Sequence, residues 1–138
     1  MKNKNLLKFI GIFLFGITML SSCSSSDDET DNNSDYSSLF DKWWYDSDDF
    51  AADIYFHSNG DYEQKLIFAG IEFTTTGDWT WEDESSGIMK IDNLTGNGQL
   101  LSAVWFKFSD IQTNTVTIQQ SSNGTNYSTE VFYQDTDD

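Results

Sequence analysis

Three Asn-Gly pairs, Asn59-Gly60, Asn97-Gly98 and Asn123-Gly124, stand between short segments rich in aromatic and β-branched residues, and they restrict the fold of this chain more than any other feature. Both residues of such a pair tolerate the positive φ that a type I′ hairpin turn requires, so the dipeptide between alternating segments signals two antiparallel strands. The pattern is clearest at Ser58-Asn59-Gly60-Asp61. Proline is absent, so asparagine, glycine and aspartate must supply the turns. Strands are expected at residues 40–46, 53–58, 61–69, 70–76 with an extension towards 82, 87–93, 99–109, 114–120 and 127–134. No stretch in this region sustains a helical apolar stripe, and the connections are too short for the crossovers of a parallel sheet. The expected fold is all-β: an antiparallel up-and-down meander of about eight strands, closed into a β-barrel or folded as a β-sandwich.

Alternation assigns faces. Trp79 and Trp81 share one side while Asp78, Thr80 and Glu82 share the other; likewise Tyr62, Gln64, Leu66 and Phe68 oppose Glu63, Lys65 and Ile67. The segment 99–109 breaks the pattern. Leu100, Val104, Phe106 and Phe108 lie on one side and Leu101, Ala103 and Trp105 on the other, so a terminal segment, a partner or a membrane-proximal surface is expected to cover the second face.

The N-terminal region gives an address. A basic start (Lys2, Lys4, Lys8), an apolar run from Phe9 to Met19 and Leu20-Ser21-Ser22-Cys23 have the three parts of an export signal. The run is shorter than the roughly 20 apolar residues of a membrane span, and serines follow it instead of a basic stop-transfer cluster. These residues resemble the lipobox of bacterial lipoproteins. The resemblance implies a signal peptide at 1–22, cleavage before Cys23 and acylation of its thiol. It also implies attachment of the protein to a membrane through those acyl chains. Ser24-Ser25-Ser26-Asp27-Asp28-Glu29 resembles the serine-plus-acid signal of Bacteroidota-type lipoproteins, which implies the outer membrane, facing the cell exterior. Residues 23–37 read as a lipidated cysteine with a disordered Ser/Asp tether, and 38–138 as one folded domain. Cys23 is the sole cysteine, so that domain depends on its apolar core and has no disulfide.

All 23 acidic residues lie beyond Cys23, against four lysines (Lys42, Lys65, Lys90, Lys107), a net charge of −19 after processing. Such a surface repels nucleic-acid phosphates and anionic headgroups, which leaves basic proteins, cations and neutral molecules as partners. Solubility alone also accounts for most of these charges.

Several short motifs occur in one order: Leu39-Phe40-Asp41-Lys42-Trp43-Trp44, the hairpin Ile54 to Tyr62, Thr76-Gly77-Asp78-Trp79 and Ile88-Met89-Lys90-Ile91. Together they resemble the small lipocalin-like domains of bacterial surface lipoproteins over residues 38–134. The resemblance implies an eight-stranded lipocalin-like barrel, with Trp43 as the tryptophan that plugs one end and a lumen suited to a hydrophobic molecule. Asp41 stands where that family usually has glycine, and no arginine is present to stack on the opening tryptophan. The family's ligand preferences therefore do not carry over.

Catalytic and metal patterns are thin. His57 is the single histidine, no Gly-x-Ser-x-Gly elbow occurs, and the abundant carboxylates single out no acid/base pair. Asp46-Ser47-Asp48 opens like an EF-hand loop, but Phe50, Ala51 and His57 occupy later positions that the loop reserves for ligand, glycine and glutamate. A looser cation site at Asp46, Asp48, Asp49 and Asp53 is left open, with surface acidity as the simpler account. No enzyme, metal or cofactor is expected.

Aromatic side chains carry the functional expectation. Of 11 Phe, 6 Tyr and 5 Trp, only Phe9, Phe13 and Phe15 belong to the leader. Packing accounts for most of the others. Phe56, Phe68, Trp79, Trp81 and Phe106 are expected to face the lumen and touch a small, largely hydrophobic ligand, bound without catalysis. The alternative is a protein-interaction module, such as an accessory subunit, inhibitor or immunity-type protein, that presents its acidic surface and the strand around Trp105 to a basic partner. Glycan stacking on exposed Trp44 or Trp105 is a third.

Overall fold

The computed structural model describes residues 35–137; the leader, Cys23 and the spacer up to residue 34 lie outside them. Nine strands follow a 3-10 turn at Tyr36–Leu39: β1 (Trp43–Asp46), β2 (Asp53–Phe56), β3 (Asp61–Phe68), β4 (Ile71–Asp83), β5 (Ile88–Gly96), β6 (Gln99–Leu100), β7 (Val104–Ser109), β8 (Thr115–Ser121) and β9 (Val131–Gln134). All pair antiparallel, each with its neighbour along the chain apart from the short β6, which pairs only with the end of β5. Two pairings close the sheet. β4 joins β5, and β1 joins β9 through Asp46 opposite Tyr133. The result is an eight-stranded up-and-down barrel of lipocalin-like architecture, not a sandwich.

The turns depart from a single type. Asn97-Gly98 has φ of 53° and 74°, the doubly positive pair of a type I′ turn, between Gly96 and Gln99. Ala69-Gly70 takes the same geometry, at 51° and 75°, without asparagine. The Asn59-Gly60 hairpin is different. Gly60 N donates to His57 O (3.1 Å) and His57 N to Asp61 O (2.9 Å), and only Gly60 has positive φ, so this is a three-residue loop ending in a glycine bulge. Asn123 caps a longer loop, where its side-chain oxygen accepts from the Thr125 and Asn126 amides.

Inward side chains fill the barrel. Trp44, Ile54, Phe56, Tyr62, Met89, Ile91, Phe106, Val116, Ile118 and Tyr133 are buried and form one cluster with Leu39, Leu94 and Phe108. Eight strands enclose an interior that side chains can occupy completely, and aromatic residues take up much of this one. Its buried hydroxyls are partnered: Tyr62 donates to Gln64 Oε1 (2.9 Å) and Tyr133 to the Ala52 carbonyl (3.1 Å).

The 3-10 turn closes one end. Trp44, with no exposed surface, donates from Nε1 to the Leu39 carbonyl at 2.9 Å. Trp43 points the opposite way, half-buried on the outer face, edge-on to Tyr55 and under the Lys65 ammonium. The plugging role assigned to Trp43 therefore belongs to Trp44. Adjacent strand residues always face opposite sides, and the register that sets Trp44 against buried Ile54 decides which of the pair enters the core. Asp41 adopts φ of 60°, the left-handed region that glycine favours, and it is held there by its amide on Phe56 O (2.8 Å) and its carboxylate on the Ser58 amide (2.8 Å).

Segment 99–109 divides into β6 and β7; on its second apolar face Trp105 is covered locally, while Leu101 is left exposed. A Cβ on Gly124 would stand 3.2 Å from the Trp105 ring, so the chain's own loop after Ser121 lies on that tryptophan. Lys90 Nζ approaches the same ring at 5.4 Å.

Candidate functional site at the open end

The five residues expected to line a ligand site are not brought together. Phe56 and Phe106 meet edge-to-face in the core, centroids 5.8 Å apart. Trp79 and Trp81 face inward at the closed end, where Trp79 stacks on Phe40 (4.9 Å) and donates to the His57 carbonyl (2.7 Å), while Trp81 packs against Tyr36 (4.6 Å). Phe68 is 70% exposed at the opposite end. Four of the five thus serve packing, and the fifth belongs to a different surface.

That surface arises where strands stop at unequal heights. β3 and β4 stay paired from Asp61 opposite Asp78 to Phe68 opposite Ile71. β2 leaves the sheet at Asp53 opposite Lys65, and β5 leaves at Gly96 opposite Thr75. Beyond those points Leu66–Phe68 and Ile71–Thr74 form a two-stranded ribbon flanked by neither neighbour. Side chains alternate, so the face that carries buried Tyr62 within the barrel continues outward as Leu66 and Phe68, met by Phe73 and Ile71 from β4. On that face Gln64 opposite Thr75 separates the apolar interior from a second apolar stretch beyond the rim, where Ile71 is 58% exposed. Leu101 lies at this same mouth. Its amide donates to the Leu94 carbonyl (2.7 Å), and its Cδ1 would lie 3.3 Å from a Cβ on Gly96, next to Thr75 Oγ1 at 3.2 Å. Monomer surfaces seldom present large contiguous apolar patches without a binding role.

Carboxylates flank the ribbon base. Burial raises the Asp53 carboxyl above its ordinary value, and Asp137, Asp49 and Asp46 add repulsion that Lys65 partly offsets. Asp46 is buried but differently placed: Oδ1 accepts from the Asp48 amide (3.2 Å), and Oδ2 from those of Phe50 (2.8 Å) and Ala51 (2.6 Å). Burial opposes ionisation here, yet the three N–H bonds outweigh it and hold the carboxyl below the usual aspartate range. Asp46 therefore spends both oxygens on the loop that follows it, and among the described residues no group of three or more His, Cys, Asp or Glu is arranged to hold a metal ion.

Each of the four lysines among the described residues lies over an aromatic ring: Lys42 on Trp44, Lys65 on Trp43, Lys90 on Trp105 and Lys107 on Tyr127. Lys42 and Lys90 also pair with Asp135 (3.3 Å) and Asp92 (3.1 Å). His57 packs at a tilt against Tyr55 (4.3 Å between centroids) and its Nε2 meets Glu63 Oε1 at 2.9 Å, so that nitrogen faces a carboxylate and no nucleophile. Trp44, one of two tryptophans considered for glycan stacking, is wholly buried. An open, polar depression of about 300 Å³ lies elsewhere on the outer wall, lined by Asp61, Glu63, Thr76 and Asp78 among others.

The apolar rim had a signal in the sequence: Leu66, Ile67, Phe68 and Ile71 make both faces of one hairpin tip apolar, which a half-buried strand does not need. Comparison of the chain with protein-family models, with curated proteins and with solved structures gave no match.

Proposed function

We propose that this protein is a lipid-anchored module of the bacterial cell surface that engages a protein partner through the open end of its barrel. What carries this reading is the contrast between an interior occupied by its own side chains and an exposed apolar rim beside a cluster of aspartates that Lys65 offsets only in part. A cavity carrier has little room inside this core, whereas a rim of that composition suits a partner with apolar and basic residues. Cys23 carries the acyl chains and supplies the membrane attachment, with the acidic spacer as tether. The described chain begins at the closed end, beside Tyr36, and the rim lies at the opposite end of the barrel. The lipocalin-like resemblance contributes architecture to this reading, not chemistry.

The test is recovery of partners from cell-surface extracts on the immobilised full-length chain. Capture of a basic protein that weakens as salt is raised supports the reading; recovery of the bait alone removes it. Binding of a small hydrophobic molecule is the second reading, favoured by the apolar mouth, and in this barrel it would occur on the rim. Quenching of tryptophan fluorescence across a panel of apolar ligands tests it.

A further inference from the structure

The β2–β3 register explains why the rim has a free backbone edge. Continued past Asp53 opposite Lys65, it would set Ala52, Ala51 and Phe50 against Leu66, Ile67 and Phe68. The Phe50 and Ala51 amides go to Asp46 instead, the chain turns away, and Phe50 is left 92% exposed. Leu66–Phe68 therefore keeps β4 on one side and leaves the other side, to which the Ile67 N–H and C=O point, open to an added strand. We propose that this edge takes an extended segment of the partner in which apolar residues alternate with lysine or arginine; the proposal rests on the partner-binding reading above.

Strand alternation and charge select that occupant. A strand added beside Leu66–Phe68 directs every second side chain onto the face of Leu66, Phe68, Ile71 and Phe73, where apolar groups are favoured. The intervening side chains fall on the outer face, with Ile67 and Glu72 of the ribbon and near Asp53 at its base. Lys65 shares that outer face, opposite Asp53, and offsets its charge only in part because the ammonium is drawn over Trp43, so Glu72 and the clustered aspartates leave the face net negative. Positive charge in the partner meets carboxylates there, while a second copy of this chain would bring its own large negative charge to the contact.

The experiment uses the purified full-length chain and an unstructured peptide of alternating valine and lysine, with a valine–glutamate peptide as control. The lysine peptide is expected to bind, to protect the Ile67 amide, the one of Leu66–Phe68 that points away from β4, from hydrogen exchange, and to lose affinity at least about tenfold between about 50 and about 300 mM salt. Phe68→Ser combined with Ile71→Ser should weaken it by about tenfold or more, and Asp53→Asn should reduce the salt dependence. Several outcomes would overturn the proposal: no binding, equal binding of the glutamate peptide, protection elsewhere on the barrel, self-association through the hairpin, or adsorption of the rim to neutral phosphatidylcholine vesicles. If the doubly substituted chain still captures the same partner from surface extracts, the edge is wrong while the module reading survives. If neither chain captures anything, the module reading itself fails.

Discussion

Asp46 accepts the amide of Phe50 at 2.8 Å, and this contact turns the chain out of line with the strand it would otherwise extend. The same carboxylate takes the Asp48 and Ala51 amides, so one buried side chain organises the loop beside the open end.

Removing that carboxylate should be costly in a pH-dependent way. Asp46→Asn is expected to lower stability by about 1–3 kcal/mol at neutral pH, since hydrogen bonds to a charged acceptor are replaced by weaker ones and one oxygen becomes a donor facing a donor. The folded carboxyl titrates below its ordinary value, so its contribution is complete above the usual aspartate range near about 3.9 and is lost as pH falls through the folded value. Urea denaturation of both proteins across acidic pH should show the gap closing at the acid end. A gap that persists there would contradict the assignment.

The adjacent tryptophans should behave oppositely. Trp44 is wholly buried and hydrogen-bonded, so Trp44→Ala is expected to cost about 3–5 kcal/mol. Trp43 lies half-buried on the outer wall, and Trp43→Ala should cost about 1 kcal/mol. Equilibrium unfolding of the two variants tells them apart, and equal losses would mean that the barrel end is built otherwise.

Two glycines with similar φ should differ because only one is crowded. Gly87 (φ 66°) would bring a Cβ to 2.9 Å from the Phe108 carbonyl and 3.1 Å from the Tyr36 hydroxyl, whereas Gly70 (φ 75°) has nothing within 4 Å. Gly70→Ala should cost the backbone penalty alone, about 1–2 kcal/mol, and Gly87→Ala clearly more. Thermal melts of both variants give the comparison.

Core and rim should separate energetically. Phe56→Ala, which empties part of the lumen, is expected to cost about 3–5 kcal/mol, while Phe68→Ser, at an exposed ribbon position, should stay within about 0.5 kcal/mol. A large loss for Phe68→Ser in chemical denaturation would show that the ribbon face supports the fold and is not a free surface.

The antiparallel meander was legible residue by residue, since alternation and turn chemistry act over a few neighbouring positions. Trp79 and Trp81 do share a face, and so do Tyr62, Leu66 and Phe68. Where the reading went astray, a distant partner decided. Trp43 and Trp44 are chemically identical candidates for the interior until β2 supplies a register. Phe68 has the parity of a lumen residue, yet it lies outside because β2 and β5 stop before reaching it.

The sequence by itself determined antiparallel strands, short turns and an acidic chain whose single domain must be held by aromatic packing, because each of these follows from local periodicity, dipeptide conformation or simple count. Tertiary structure alone decided that the sheet closes, that its interior is occupied by its own side chains and that one apolar hairpin tip is left uncovered. Those outcomes depend on where non-adjacent strands begin and end relative to one another, and no local stretch of sequence encodes that relationship.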